Sequence, residues 1–323
     1  MRLFANLCIY IFFIATGTIH LYAESNNAEL SLGVGLLRGY TTYQIGGSFH
    51  TPLGSGEFRF PLSELQFPLD VYMISAKGSI ELAEKLDIGI GVMKNISDDA
   101  GKMEDSDWGL WFYESDGWPN PDSLDIYSES DAELNVLIID MDILYKLHKG
   151  SYDTFELFLL TGIGYNYQKY DFNVSNLNKW YPSLNMYYGY DIGHEIISGK
   201  VLTYEIKYNI PYVKIAIEFM YKNNSHFQTS IGYSQIVDVE DYDNHILRSK
   251  RSRGECEGDA ILFSLCGRYC FINNLFFTLQ FDYITVEAEG RQKQRQDGIY
   301  IGSIDQKITS KQKFLSFESG YRF

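Results

Sequence analysis

Two short acidic segments contain the residues whose types and spacing could do chemistry. The first is the run MEDSDW, which contains Asp105 and Asp107, and the second is the run DYDNH, which contains Asp241, Asp243 and His245. Residues two apart on a β-strand point to the same face. If both segments lie on strands, we expect the two aspartates of the first to share one side. The same rule predicts that Asp241, Asp243 and His245 share one side of theirs.

Facing each other across a cleft, these side chains could activate a water molecule. Two carboxylates close together resist double ionisation, which raises one pKa, and one of them can hold and orient a water. A histidine beside a carboxylate keeps its imidazole in the useful tautomer, and the carboxylate stabilises the imidazolium. A water held between Asp105 and His245 could then be deprotonated and attack a peptide carbonyl, with no metal or serine required.

Two simpler interpretations of the acidic segments stay open. Acidic loops are common on solvated surfaces, and hard oxygen ligands also favour Ca²⁺. The spacing does not match an EF-hand loop, and the sequence has no H-E-x-x-H, no zinc-type cysteine pattern and no G-x-S-x-G, so no metal site is predicted. The remaining histidines lack acidic residues at strand spacing and are interpreted as surface or lumen residues: His50, His148, His194 and His226.

Composition limits the class of protein that can carry these segments. The chain has 323 residues, a formal net charge of -15 and 16% aromatic residues, including 26 Tyr. Such acidity argues against nucleic-acid binding and favours cationic partners. Four cysteines in this length rule out a disulfide scaffold. Abundant Tyr and 28 Gly favour many strands over a helical globule.

The first 23 residues are predicted to be a secretory signal peptide. Arg2 supplies the positive start, the apolar run from Leu7 to Ile19 is too short to span a bilayer as a helix, and Ala23 is a small residue at the expected cleavage site. Cleavage leaves residues 24–323 as a single domain. No other segment reaches about 18 consecutive apolar residues, so the mature chain is either soluble and secreted or a closed membrane barrel.

Hydrophobic alternation predicts β-strands along most of the mature chain. Apolar residues occupy every second position in 30–36, 65–73, 86–92 and 202–212. Period two over about ten residues indicates strands with one apolar and one polar face. An outer-membrane barrel needs this alternation, with apolar residues toward lipid and polar residues inside. A soluble sandwich alternates as well, so periodicity alone does not separate the two.

The lengths of the connections favour the barrel. Long connections alternate with short turns, which predicts ten strands, five long loops and four short turns. The long loops are predicted at 44–62, 94–131, 172–199, 236–258 and 286–310, and the turns at 83–85, 148–151, 222–225 and 272–274. If the N-terminus starts in the periplasm, all five long loops face outside. The last strand ends in the aromatic Phe323, similar to the assembly signal of outer-membrane barrels.

The two acidic segments resemble those of the omptins, ten-stranded outer-membrane aspartyl-type endoproteases of Gram-negative bacteria. The run GKMEDSDW is similar to the family's paired aspartates before a tryptophan, and DYDNH to its Asp-x-Asp-x-His segment. Leu30–Gly33 and Lys200–Lys214 resemble the family's first and sixth strands. The resemblance implies an all-β, ten-stranded antiparallel transmembrane β-barrel, with five long extracellular loops and four short periplasmic turns, in the outer membrane of a Gram-negative bacterium.

The resemblance also implies roles for individual residues. Asp105 and Asp107 would position the water, Asp243 would orient His245 as general base, and Asp241 would line the pocket for a basic residue before the scissile bond. It implies no cofactor, but it implies that lipopolysaccharide is required, held by basic residues on the outer wall. Substrates would be extracellular, cationic peptides or proteins.

Two positions depart from the family's pattern and put basic-residue specificity in doubt. Tyr43 and Tyr113 stand where acidic residues are expected. A barrel of the same shape that no longer cleaves, acting as an adhesin or binding protein, is therefore the alternative. A small porin is less favoured, because ten-stranded barrels have narrow lumens. Cys256, Cys266 and Cys270 remain after cleavage, and the first two could pair only if the loop folded back, so one free thiol is expected.

Overall fold

The computed structural model describes residues 27–82, 85–110, 122–222, 224–271 and 274–323, and these form an almost purely β structure. The predicted signal peptide and Tyr113 lie outside the described residues. The strands are β1 Asn27–Thr51, β2 Gly54–Glu57, β3 Ser63–Pro68, β4 Val71–Leu82, β5 Leu86–Asn95, β6 Asp99–Trp108, β7 Leu124–Ser151, β8 Phe155–Trp180, β9 His194–Tyr221, β10 Ser225–His245, β11 Lys250–Cys270, β12 Leu275–Gln296 and β13 Ile299–Arg322. A helix, α1 Pro182–Tyr188, and a 3-10 turn, Ile246–Arg248, interrupt them.

The strands form one antiparallel sheet that closes on itself. Neighbouring strands pair in sequence from β7 to β13, and β13 returns to pair with β1, with Glu29 opposite Arg322. The predicted all-β, antiparallel barrel fold is confirmed. Within the described residues the sheet has thirteen strands where the sequence predicts ten. The extra strands arise because short breaks separate β3 from β4 and β5 from β6, and because β2 folds back on the end of β1.

Those breaks divide the ring into two levels. Near the short turns, β4 and β5 fill the space between β1 and β7, and near the other end β3 and β6 fill the same space. We call the end with connections 52–62, 109–123, 181–193, 246–249 and 297–298 the loop end, and the opposite end the turn end. Both acidic segments lie at the loop end.

Side-chain character inverts between the two levels, and on β9 it does so without any change in which positions point inward. On β9, Val213, Ile215 and Ile217 point outward and are 48–61% exposed, and the alternate residues between them point inward. Nearer the loop end, Tyr204, Ile206, Tyr208 and Ile210 occupy that same inward parity and are at most 1% exposed. The alternating apolar row in 202–212 therefore faces the interior, and the expectation of apolar-outward alternation holds only in the turn half.

This inversion marks where lipid gives way to water. A membrane strand needs only about 9–11 residues to cross the bilayer, whereas β9 has 28. The turn half carries the outward apolar belt, and the loop half, with charged residues outside and apolar residues inside, is built like a water-soluble barrel. Most of the segments predicted as long loops are therefore strand, because pairing continues beyond the level at which lipid-type alternation ends. The connections between β10 and β11 and between β12 and β13 shrink to residues 246–249 and 297–298.

The interior differs between the two halves. The loop half is packed with aromatic rings: the ring centroids of Phe67 and Tyr204 are stacked 4.5 Å apart, and those of Tyr43 and Tyr204, which are tilted, lie 5.2 Å apart. The turn half encloses a cavity of about 530 Å³ lined by ion pairs such as Lys214–Asp142, at 2.6 Å. The candidate site therefore stands on a packed aromatic floor.

The described cysteines form no disulfide bond. Cys256, Cys266 and Cys270 are all unpaired, because β11 is one continuous strand and the loop does not fold back; the expectation of a single free thiol was wrong. No helix among the described residues is long and apolar enough to cross a bilayer.

Candidate active site

The second acidic segment is the last part of β10. Alternation places Asp241 and Asp243 in the lumen, with exposures of 0% and 3%, and Tyr242 on the outer face. His245 ends the strand opposite Lys250 of β11, and the chain then turns through Ile246–Arg248. This part of β10 lies beyond the apolar belt. Asp241, Asp243 and His245 share one side, as the spacing predicts.

Asp243 and His245 are in direct contact. The Oδ2 atom of Asp243 lies 2.8 Å from Nε2 of His245 and accepts a 2.5 Å hydrogen bond from the Tyr43 hydroxyl on the opposite wall. Burial by itself would raise the pKa of Asp243. The charge and hydrogen bond of His245, together with the hydrogen bond of Tyr43, outweigh burial and hold that pKa below its usual value. Asp243 is therefore a carboxylate at neutral pH.

A contact from Arg248 identifies the tautomer of His245. Nη2 of Arg248 lies 2.9 Å from Nδ1 of His245. Guanidinium nitrogens only donate hydrogen bonds, so Nδ1 is the acceptor of this bond and Nε2 carries the proton that is donated to Asp243. Nδ1 is thus the nitrogen with the basic lone pair.

The first acidic segment forms part of β6. Met103 is buried, and Asp105 and Asp107 share its parity and point inward. Asp105 pairs with Leu65 of β3, and Leu65 pairs with Tyr43 of β1, so the three residues lie at one level of the wall. Burial, and next the neighbouring charge of Asp107, raise the pKa of Asp105 well above its usual value. The aspartate pair therefore resists double ionisation, as its spacing predicts.

The two segments act on each other across the lumen. The charges of Asp243 and Arg248 both influence the pKa of Asp105, and the charges of Asp105 and Asp243 both influence that of Tyr43. Within the described part of the chain, Oδ1 of Asp105 and Oδ1 of Asp243 are buried without a hydrogen-bond partner. Buried acceptors without a partner are groups that a bound water molecule can satisfy.

Asp241, predicted to bind substrate, has its oxygens engaged inside the barrel. Oδ1 accepts the Gly254 N–H at 2.7 Å, and Oδ2 accepts hydrogen bonds from Tyr204 and Gln306 at 3.0 Å and 2.6 Å. Burial is the largest influence on this carboxyl and raises its pKa to about 6. A Cβ at position 254 would overlap both Asp241 and Gln306, so only glycine lets the backbone approach so closely.

Sequence reasoning missed three basic residues around this site. Arg248, Lys250 and Lys179 each influence the charge of the buried aspartates, and burial, followed by the charge of Arg248, lowers the pKa of Lys250. Spacing could not identify them, because Arg248 lies on a turn outside the strand pattern and Lys179 comes from β8. It could not identify Tyr43 as a partner of Asp243 either, because the two residues lie on opposite walls.

The other histidines differ in part from their sequence-based interpretation. His226 lies 3.3 Å from Glu218 of the adjacent strand, a pairing across strands that spacing along one strand cannot reveal. Nδ1 of His50 accepts a hydrogen bond from Arg291 at 2.7 Å. No group of three or more His, Cys, Asp or Glu residues in the described ranges is arranged to hold a metal ion.

The fold and site together define a class of protein. A closed antiparallel barrel with an outward apolar belt is the architecture of outer-membrane proteins, and this barrel carries a carboxylate–histidine pair and an aspartate pair in its loop-end mouth. A family model for the omptins matches residues 25–304. The chain belongs to the omptin family, a family of proteases in the outer membrane of Gram-negative bacteria.

One solved structure of an outer-membrane protease agrees with the fold. The crystal structure of the outer membrane protease OmpT from Escherichia coli matches with a TM-score of 0.74 and 19% identity, over 92% of this chain and 97% of that chain. OprG from Pseudomonas aeruginosa matches with a TM-score of 0.35 and 9% identity, over 92% and 96% of the two chains. Ail of Yersinia pestis matches with a TM-score of 0.25 and 9% identity, over 93% and 99%. No curated protein sequence matches.

Proposed function

We propose that this barrel is an endopeptidase that cleaves extracellular peptides or proteins, with Asp243 and His245 as a catalytic dyad and Asp105 and Asp107 as the pair that orients the attacking water. The observation that carries the proposal is the 2.8 Å contact between Asp243 and His245 at the mouth of the lumen. The influence of Asp243 on the pKa of Asp105 supports the same arrangement. The loop end, and the site with it, faces outside the cell.

The proposed reaction begins with a water molecule between Asp105 and Nδ1 of His245. Nδ1 takes a proton from the water, and the resulting hydroxide attacks the carbonyl carbon of the scissile bond. The imidazolium is stabilised by the ionised Asp243, which accepts the hydrogen bond of the Nε2 proton while that proton stays on His245. The C–N bond then breaks, and the imidazolium returns its proton to the leaving amine.

The unpartnered oxygen of Asp105 supports its role in holding the water. Because burial and Asp107 raise its pKa, Asp105 can carry a proton under conditions in which Asp243 is ionised. Two carboxyls in one mouth then perform different tasks, since their surroundings drive their pKa values apart.

The proposed function also involves binding of lipid at the outer wall and of a cationic substrate at the mouth. Lipopolysaccharide at the outer wall is proposed as a requirement for activity, and the net charge of -15 favours the approach of cationic substrates. Asp241 stays a predicted substrate-binding residue for a basic side chain. Its three internal hydrogen bonds leave it less available than an open carboxylate.

The alternative is a binding protein or adhesin of the same fold. Tyr43, at a position where the family pattern predicts an acid, is the observation that favours it, because the residue adds an aromatic ring instead of a charge. Binding of a peptide without cleavage would identify this alternative.

The experiment uses the full-length protein in vesicles with and without lipopolysaccharide, and an internally quenched peptide library. We expect cleavage only with lipopolysaccharide. Asp243→Asn and His245→Ala should each lower kcat/KM by about 10²–10⁴, the usual contribution of general acid–base catalysis. Asp238→Asn is the matched control, since Asp238 lies on the outer face of the same strand, and it should cleave normally. Unchanged cleavage by His245→Ala would refute the proposed mechanism.

A further inference from the structure

Arg248 forms a hydrogen bond with the atom of His245 that must act as the base in the proposed reaction. Its guanidinium donates a hydrogen bond to Nδ1 at 2.9 Å. A nitrogen lone pair that already accepts a hydrogen bond from a cation cannot take a proton from water. Arg248 must therefore leave Nδ1 before a water can be deprotonated there.

The position of Arg248 allows it to leave. The residue is exposed and ends the short 3-10 turn, next to Ser249, whose backbone is left-handed with φ 48°. Among the described residues, no carboxylate forms an ion pair with Arg248, and its side chain is held by the neutral acceptor on His245. A carboxylate would be a stronger partner, because it carries the opposite charge and can accept two parallel hydrogen bonds from one guanidinium.

The surrounding charge indicates what would draw Arg248 away. Lys250 lies in β11 directly opposite His245, and the charges of Lys179 and Arg248 both act on Asp105. Three basic residues therefore lie at the mouth, together with the carboxyls of Asp105, Asp107 and Asp243, whose charges act on Lys250. At the exposed guanidinium of Arg248 itself, an acidic side chain of the substrate is attracted and a lysine or arginine is repelled. The net negative charge acts over the whole molecule and does not set the local preference.

We propose that Arg248 is a specificity-determining residue that binds an acidic side chain of the substrate, close to the scissile bond, and releases Nδ1 of His245 in doing so. The inference rests on the proposed endopeptidase function and adds a substrate class to it. No bond forms or breaks at Arg248: its hydrogen bond passes from Nδ1 to the substrate carboxylate. Nδ1 then accepts the proton of the attacking water.

The test compares matched peptides on the full-length protein in lipopolysaccharide-containing vesicles. Each internally quenched peptide carries one Glu, moved through the positions that flank the scissile bond, and its partner carries Gln at the same place. In the wild type we expect one register in which the Glu peptide has a kcat/KM about fivefold higher, the size of one exposed ion pair. In Arg248→Gln that ratio should fall to about one.

Control variants separate the possible outcomes. Arg295→Gln removes an exposed arginine from the rim of β12, the strand next to β11, and should keep the wild-type ratio. His245→Ala should slow cleavage of both peptides by about 10²–10⁴. The proposal is overturned if no register favours Glu, if Arg248→Gln keeps the preference, or if it slows both peptides equally. Unchanged cleavage by His245→Ala would instead overturn the proposed function, and a wild type that cleaves neither peptide would overturn both.

Discussion

Replacing Tyr43 with Phe tests how the proposed dyad is tuned. The substitution removes the hydroxyl that donates to Oδ2 of Asp243 at 2.5 Å and keeps the ring that packs on Phe67 and Tyr204. A hydrogen bond to a charged group contributes about 1.5–3 kcal/mol, and one pKa unit corresponds to about 1.4 kcal/mol. Losing the donor should therefore raise the pKa of Asp243 by about 1–2 units.

The sign of the effect on activity follows from the role of Asp243. The dyad works with Asp243 ionised, and in the wild type the pKa of Asp243 lies below its usual value, because His245 and Tyr43 outweigh burial. The reaction also needs Nδ1 of His245 unprotonated, so the acidic limb of the pH profile reports proton uptake by the Asp243–His245 pair as a whole. With Phe at position 43, Asp243 loses a donor that stabilises its ionised form, the pair takes up a proton at higher pH, and the acidic limb should move upward by up to about 1–2 units.

The assay is kcat/KM for a fluorogenic peptide, measured with the vesicle-embedded protein between about pH 4 and about pH 9. Tyr208→Phe is the matched control: it also removes a buried hydroxyl, but one that meets Thr41 at 2.5 Å and not Asp243. The control should keep the wild-type acidic limb. The reasoning would be refuted if the acidic limb of Tyr43→Phe stayed at the wild-type pH, or if the acidic limb of Tyr208→Phe moved by the same amount. A lower plateau without a shift would mean that Tyr43 supports packing alone.

Two further predictions concern the hydrogen bonds of Asp241. Because burial raises the pKa of Asp241 to about 6, its ionisation should destabilise the folded barrel as the pH rises from about 4 through about 6. Asp241→Asn should remove that pH-dependent loss, up to about 3 kcal/mol, in urea unfolding curves at pH 4 and pH 8; parallel curves for variant and wild type would contradict this. Gly254→Ala should destabilise the barrel by about 1–3 kcal/mol, because its Cβ overlaps Asp241 and Gln306. Gly267→Ala on the same strand, whose Cβ would lie 3.6 Å from Phe227, should leave the thermal unfolding midpoint nearly unchanged.

Strand parity explains why the sequence predicts so much of the site. Inward and outward positions alternate without interruption from Val237 to His245, beyond the bulge in β10, so the i, i+2 spacing of Asp241, Asp243 and His245 is enough to place all three on one side. Antiparallel order then brings the ends of β6 and β10 to the same mouth. Neither argument requires the position of the membrane, and both hold in the structure.

Other features depend on information that spacing does not contain. Apolar rows face lipid in one half of the barrel and the packed interior in the other, as Val213 and Tyr208 of one strand demonstrate. Whether an apolar row faces outward or inward depends on whether lipid or water surrounds the barrel at that level. Hydrophobic periodicity carries no information about which of the two it is. Contacts across the lumen, such as Tyr43 with Asp243, join residues 200 positions apart. Those contacts determine the pKa of Asp243, so the tuning of the site could not be predicted.

The inverted half of the barrel is what makes a buried dyad possible. A lumen lined with ion pairs, as in the turn half, would screen Asp243 and leave its orientation loose. In the loop half, the rings of Phe67, Tyr204 and Tyr43 form an aromatic floor beneath Asp243, and Oδ2 of Asp243 contacts His245 and accepts the hydrogen bond of Tyr43. If these aromatic side chains pointed outward to lipid, as apolar residues do in the turn half, Asp243 would have no such floor beneath it. The extension of the strands beyond the bilayer therefore builds a second, water-surrounded core, on which the proposed chemistry depends.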